Sequence, residues 1–149
     1  MNPEEQNERV RKSTPAATNQ SVDEKTLQNI REYVNASPET IKKRLKDLNK
    51  EWDIEKTLEV NASSLALTGL LLGALLNKRW FLLPVVVTTF LLQHGLQGWC
   101  PPLPLFRKFK IRTAREINEE RIALKILRGD FDQPRPSTPA ALLKAIRKK

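Results

Sequence analysis

Two stretches without a formally charged side chain constrain this chain more than any other feature of its sequence. Residues 60–77 contain no Asp, Glu, Lys or Arg, nor do residues 80–106, and only Lys78 and Arg79 stand between them. As helices, 60–76 and 80–99 would reach roughly 26 and 30 Å, against a hydrocarbon core of about 30 Å. The short connection Asn77-Lys78-Arg79 turns the second helix back along the first. Trp80 and Trp99 bracket the second stretch, where interfacial aromatics sit. The fold class expected is an all-α membrane protein, a two-helix transmembrane hairpin over 59–100 flanked by amphipathic cytoplasmic helices. A buried hairpin in a soluble protein would need apolar helices to cover it, and the flanks offer only narrow apolar faces.

Those flanks read as short, separately capped segments. Residues 1–20 are rich in Asn, Gln, Pro and charge and read as a disordered arm. Over 21–58 a cytoplasmic helical region is expected. Its first helix is capped by Ser21 and carries Leu27, Ile30, Tyr33 and Val34 at roughly helical spacing. Its second starts at Ser37-Pro38-Glu39, a cap, a first-turn proline and an acid at the positive end of the dipole. Ile41, Leu45, Leu48 and Trp52 would share one face, and Lys42, Lys43, Arg44, Lys46 and Lys50 the other. Beyond the second span, Cys100-Pro101-Pro102-Leu103-Pro104 cannot continue a regular helix. Within 101–129, Thr113 and Glu116 form a capping box for a helix that runs to Arg128 and stops at Gly129. Residues 130–149 read as a Pro-rich linker and a short basic helix.

Charge sets the orientation. Lys plus Arg is 26 against 17 Asp plus Glu, a formal net charge of +9, and residues 101–149 carry 13 of the basic side chains but only 5 acidic ones. Lys42, Lys43, Arg44, Lys46, Lys50 and Lys56 precede the spans; Arg107, Lys108, Lys110, Arg112 and Arg115 follow them. The connection holds two, so the positive-inside rule places both termini in the cytoplasm. There the basic flanks would face anionic lipid, each residue contributing about 1 kcal/mol. The first twenty residues show no apolar run, so insertion is expected to use the internal segments. Nucleic acid is not expected as a partner, because residues 101–149 offer only Phe106, Phe109 and Phe131 for base stacking.

Few residues suggest chemistry. No Gly-rich phosphate loop, paired carboxylates, Ser-His-Asp set or CxxC is present, and one cysteine excludes a disulfide framework. His94 and Cys100 lie about 240° apart round a helix and cannot build a metal site from one chain, so no cofactor or metal is expected. His94 reads as a hydrogen-bonded interior residue beside Gln93 and Gln97. Ala62, Ala66, Gly69 and Gly73 form a small-residue stripe suited to close helix approach and to a homo-oligomer. Cys100, at the cytoplasmic end of the second span, is a candidate reactive thiol if basic residues from Arg107 onward fold back and lower its pKa.

Asp53-Ile54-Glu55-Lys56 ahead of an apolar span, a tight connection, and Gly95-Leu96-Gln97-Gly98-Trp99-Cys100-Pro101 at the close together resemble the YgaP-like inner-membrane domain family. Members of that family end a two-helix hairpin in a Gly-x-x-Gly-x-Cys-Pro pattern, often followed by a Leu-Gly-Ile-x-Thr-like segment. Phe109-Lys110-Ile111-Arg112-Thr113 stands in that place here, with Lys110 where glycine is usual. The resemblance spans residues 53–113, roughly 40% of the chain. It implies a multi-pass protein of the bacterial inner membrane. Some members carry a fused rhodanese, a sulfurtransferase with a persulfide cysteine; residues 1–52 are too short for one and contain no cysteine.

The function expected is that of a small, non-enzymatic membrane protein acting through self-association or partner binding at the cytoplasmic leaflet. The alternative is handling of sulfur or a thiophilic species through Cys100, together with a separate sulfurtransferase.

Overall fold

The computed structural model describes residues 9–131, and every regular element within them is helical. Residues 9–12 are helical and are followed by α1 (Ala16–Glu32), α2 (Pro38–Leu48), α3 (Ile54–Leu75) and a 3-10 turn (Lys78–Phe81). Then come α4 (Leu82–Gln97), α5 (Leu103–Lys108) and α6 (Ala114–Leu127).

Three of the six helices α1–α6 begin where a side chain accepts from an amide that would otherwise lack a partner. Ser37 accepts from the Thr40 amide at the head of α2, with Pro38 and Glu39 in the first turn. Asp53 accepts from the Lys56 amide at 2.8 Å and starts α3 well ahead of the apolar run. Thr113 and Glu116 form the reciprocal capping box of α6. At the end of α4, Gly98 has φ +72°, and a Cβ there would lie 2.5 Å from the Cβ of Arg9. Only glycine meets both demands. Pro101-Pro102 then breaks the chain, which resumes as α5, an element not foreseen. Its first turn holds Pro104, where a missing N–H costs nothing.

The amino-terminal expectations need correction. Residues 9–20 are ordered, with Val10 fully buried and Thr14 nearly so; residues 1–8 lie outside the described part, as do 132–149 with the expected final helix. α1 begins at Ala16 rather than at the Ser21 cap. Its inward residues are Val22 and Thr26, and Leu27 is 52% exposed. The reason is its partner. α1 packs on α6, whose inner face is partly ionic, so α1 turns a mixed stripe of Asn19, Val22, Thr26 and Asn29 toward it.

α2 also differs from expectation. Ile41, Leu45 and Leu48 are buried against Ile117 and Leu124 of α6, with Tyr33 and Ala36 at the edge. The apolar face of this amphipathic helix is therefore occupied by protein and does not lie on lipid. Trp52 is not part of that face, because the helix has ended at its cap Asn49; it stands half-exposed with the Lys56 ammonium 4.8 Å from its ring centre. A second cluster, Val10, Ile54, Leu58, Cys100 and Leu103, ties the amino-terminal turn, the foot of α3 and α5 together.

α3 and the segment Lys78–Gln97 are long and apolar enough to cross a membrane, and only 17% and 11% of their apolar windows are buried. Where they touch, the small residues decide the distance. A Cβ on Gly69 would lie 2.5 Å from Cδ of Pro84, and one on Gly73 2.8 Å from the ring of Phe81. Both glycines thus face the neighbouring helix of the same chain. The close helix approach expected of these two glycines is therefore made within the chain. Gly69→Leu should separate the two helices and lower the unfolding free energy by about 2 kcal/mol, as overpacking generally does. Thermal unfolding in detergent, read beside light scattering, would show a lower midpoint with the oligomeric state unchanged.

Candidate functional site

The polar residues of the flanks converge where α1, α5 and α6 meet the foot of α3. Arg107 and Arg112, counted from sequence as juxtamembrane charges, are fully buried, as are Glu116 and Glu120 to within 1%. Arg107 forks onto Glu116 at 2.7 and 2.8 Å and also donates to the Ile111 carbonyl and to Asn19 Oδ1. Arg11 donates to the same Glu116 and pairs with Asp23 at 2.8 Å. Arg112 donates to Glu120 and Thr26 and forks onto Glu51 at 2.8 and 2.7 Å. Glu120 further accepts from Arg44 at 2.8 Å and Asn29 at 3.0 Å. The Ile54 amide, the first of α3, donates to the Arg112 carbonyl at 2.9 Å. Both flanks are thereby locked to the start of the apolar pair.

Burial alone would raise the Glu116 carboxyl, but hydrogen bonds from Arg107, the Thr113 amide and Arg11 hold it below the ordinary 4.5. Glu120 is likewise held down against its burial by Asn29, Arg112 and Arg44. Neither arginine is therefore available to a lipid headgroup or to a thiol.

Cys100 is 2% exposed within the apolar cluster. Burial pushes its thiol up, and Glu55 adds to this, so the expected lowering by Arg107 does not occur. The Cys100-Pro101-Pro102 corner also closes one end of an apolar groove of about 310 Å³ between α3 and α4. Leu58, Ala62, Leu65, Val87, Phe90, Leu91 and Phe106 line it. The four small residues of the stripe therefore divide into two roles: Gly69 and Gly73 bring the helices together, while Ala62 faces the groove and Ala66 is half-buried.

The polar residues of the second apolar segment do not gather as expected. His94 is 5% exposed, but neither ring nitrogen has a hydrogen-bond partner among the described residues. Gln93 reaches only Gln97, at 3.5 Å, and Gln97 is exposed. Gly95 has open space where a Cβ would sit, whereas Gly98 is packed against Arg9. Trp99 is 39% exposed. The left-handed residues among those described are Gly98, Gly129 and Lys110, the last with φ +58°. Lys110 is thus a non-glycine residue in a strained conformation, held by its backbone N–H, which donates to the Arg107 carbonyl at 2.9 Å.

Sequence reading missed Glu55, whose two carboxylate oxygens are buried without a hydrogen-bond partner among the described residues. Nothing in the sequence sets it apart: Asp53 caps the helix and Glu55 is an acid in its first turn. The Arg107–Glu116 and Arg112–Glu120 pairs could have been suspected from their i,i+9 and i,i+8 spacings across a Thr113 cap. The bonds to Arg11, Asn29, Arg44 and Glu51 carry no local signal. Among the described residues no three His, Cys, Asp or Glu side chains converge on a common point. No protein family, curated protein or solved structure matches the chain.

Glu120→Gln should cost about 3 kcal/mol or more, since it strips a buried carboxylate from Arg112, Arg44 and Asn29. Because Glu116 and Glu120 are held below 4.5 in the fold, their contribution is complete above that pH and is lost as pH falls through their folded values. In denaturant titrations by circular dichroism, the gap in midpoint between wild type and Glu120→Gln should therefore stay constant from pH 7 to pH 5 and narrow below 4.5. Alkylation of Cys100 at pH 7.5 should be at least tenfold slower than that of cysteine in a short peptide, and denaturant should restore the rate.

Proposed function

We propose that this chain is a non-enzymatic membrane-anchored docking protein. α3 and α4 cross the bilayer as a hairpin, and the two flanks fold together into one helical domain on the cytoplasmic side. The observation that carries the reading is a contrast in surface. Leu65, Leu67, Leu70, Leu71 and Leu75 of α3, and Leu82, Val85, Phe90, Leu92 and Leu96 of α4, are 38–78% exposed. In water each would forgo about 1 kcal/mol of transfer free energy. In the flanks, by contrast, buried arginines find carboxylates and α2 covers its apolar face on α6, although single residues such as Leu27 and Phe109 stay exposed.

Lengths and anchors agree. α3 rises about 33 Å and Lys78–Gln97 about 30 Å, matching a hydrocarbon core of about 30 Å. Trp80 and Trp99, both partly exposed, stand at the two ends of the second helix. The inside assignment rests on the lysines, because Arg107 and Arg112 are consumed within the domain; Lys42, Lys43, Lys46, Lys50, Lys108 and Lys110 remain on the surface against Lys78 and Arg79 at the connection. A YgaP-like protein of the bacterial inner membrane is the type we propose, on the residue pattern at 95–101. Two positions where that pattern carries glycine, 98 and 110, have left-handed backbone, so the pattern answers a conformational need. Self-association, if the protein uses it, must employ a face other than Gly69 and Gly73. The domain is the part free to meet partners.

Reporter cysteines in a Cys100→Ala background test the topology. Arg79→Cys should be labelled by an impermeant maleimide on intact cells, and Lys43→Cys only after permeabilisation, with both proteins resisting a carbonate wash. Carbonate-extractable protein, or labelling of Lys43→Cys from outside, would overturn the reading.

A further inference from the structure

α2 and α6 run antiparallel. Arg44 pairs with Glu120, the Arg121 guanidinium reaches the Leu48 carbonyl at 3.5 Å, and Glu39 at the start of α2 acts electrostatically on Arg128 beyond the end of α6. Along one side of this contact lies a cleft of about 510 Å³ whose floor is Leu45 and whose walls are Lys42, Lys46 and Asn49 from α2 and Arg121, Lys125 and Arg128 from α6. Each wall uses the same i, i+4, i+7 spacing, so the two rows face each other in register. No carboxylate lines the cleft.

That composition is unlike the remainder of the domain, where each buried arginine meets a carboxylate. Lys42 touches Glu39 at 3.5 Å and Arg128 forks onto Asp130 at 2.7 and 2.6 Å, both toward one end. At the other end Arg121 has only the Asn118 side chain and the Leu48 carbonyl. Lys46 and Lys125 make no ion pair among the described residues. Like charges facing across a helix contact repel, and alternating signs would serve the fold better. The arrangement makes sense when a ligand supplies the missing negative charge.

We propose that the cleft between α2 and α6 binds a phosphate-bearing small anion with at least two phosphate groups. Each row spans eight residues, a rise of about 10 Å, which is long for one phosphate and suits two or three in line. Arg121 offers a planar fork that matches phosphate oxygens, and the lysines add mobile ammonium donors. Two sources share this chemistry: a free polyphosphate-containing molecule, or the head of a diphosphate lipid entering from the Asn49 end, which leads within four residues to the cap of α3. The inference stands on the helical domain alone and does not require that α3 and α4 span a bilayer.

The test uses the full chain in phosphatidylcholine nanodiscs, with sodium tripolyphosphate as probe and calorimetric titration as readout. Wild type should bind, more weakly as salt rises. Lys46→Gln/Lys125→Gln should lose about tenfold or more in affinity. Lys43→Gln/Lys50→Gln, which removes the same charge outside the cleft, should change it less than about twofold. Without anion the cleft variant should melt no lower than wild type. Repeating the titration in nanodiscs containing cardiolipin separates the sources. Unchanged affinity assigns the site to a free anion; weakened tripolyphosphate binding that Lys46→Gln/Lys125→Gln does not show assigns it to the lipid. No binding in neutral nanodiscs, equal losses in the two double variants, or a cleft variant that melts lower with no anion present would each overturn the proposal.

Discussion

The exchange of charge between four arginines and four carboxylates, with Arg107, Arg112, Glu116 and Glu120 buried at its centre, is what the rest of the structure depends on. Arg11, Arg44, Arg107 and Arg112 meet Asp23, Glu51, Glu116 and Glu120 in a set that is neutral as a whole. Its members come from both sides of the apolar pair, so the set closes only when the amino-terminal flank and α5–α6 have come together. Networks of this kind contribute little net stability against a well-packed apolar alternative, because desolvation offsets most of the Coulombic gain. What they supply is geometric demand: with Arg107 and Arg112 fully buried, a shifted register leaves a charge in the interior without a partner. The Ile54–Arg112 backbone bond passes that demand directly to α3.

How much of this was legible follows from sequence distance. The α2 cap at Ser37, the capping box at Thr113, the stop near Gly129 and the apolar runs all read correctly, because each depends on residues within a turn or within one helix. Arg107 and Arg112 were read as surface charge because a guanidinium beside an apolar segment normally is. Their partners include Asn19, Thr26 and Glu51, which lie 88, 86 and 61 positions away. No periodicity records such pairs. The same limit explains α1: a helix whose inward side is Asn19, Val22, Thr26 and Asn29 looks polar on all sides until its ionic neighbour is known. Polar composition near the amino terminus, read as disorder, was in part the complement of a buried polar surface.

The small residues of α3 show a subtler limit. Their spacing announced a close approach but not its partner, since a glycine stripe serves an intrachain contact as well as an interchain one. Pro84 and Phe81 settle the matter for Gly69 and Gly73, because each packs where a Cβ would stand. One consequence is the groove at the other end of the pair. Helices held together near their connection and spread at their feet by Cys100, Pro101 and Phe106 leave an apolar space between them, and the cysteine that closes it is packed rather than activated.

Arginine and lysine are divided between these environments in a way their chemistry explains. Arginine keeps its charge when buried and satisfies two acceptors from one plane, so the interior positions 107 and 112 are arginines. Lysine is compact and strongly hydrated, and it dominates the open side of α2 at 42, 43, 46 and 50. On a helix lying flat on a membrane, such a row would balance an apolar face turned to lipid. Here that face is covered by α6, so the row is free of that duty, and only its inner part, Lys42 and Lys46, faces a second basic row. Buried arginines thus meet carboxylates, while the lysines stay at the surface in two settings: Lys42 and Lys46 face Arg121 and Lys125 across the cleft, and Lys43 and Lys50 lie outside it, open to solvent.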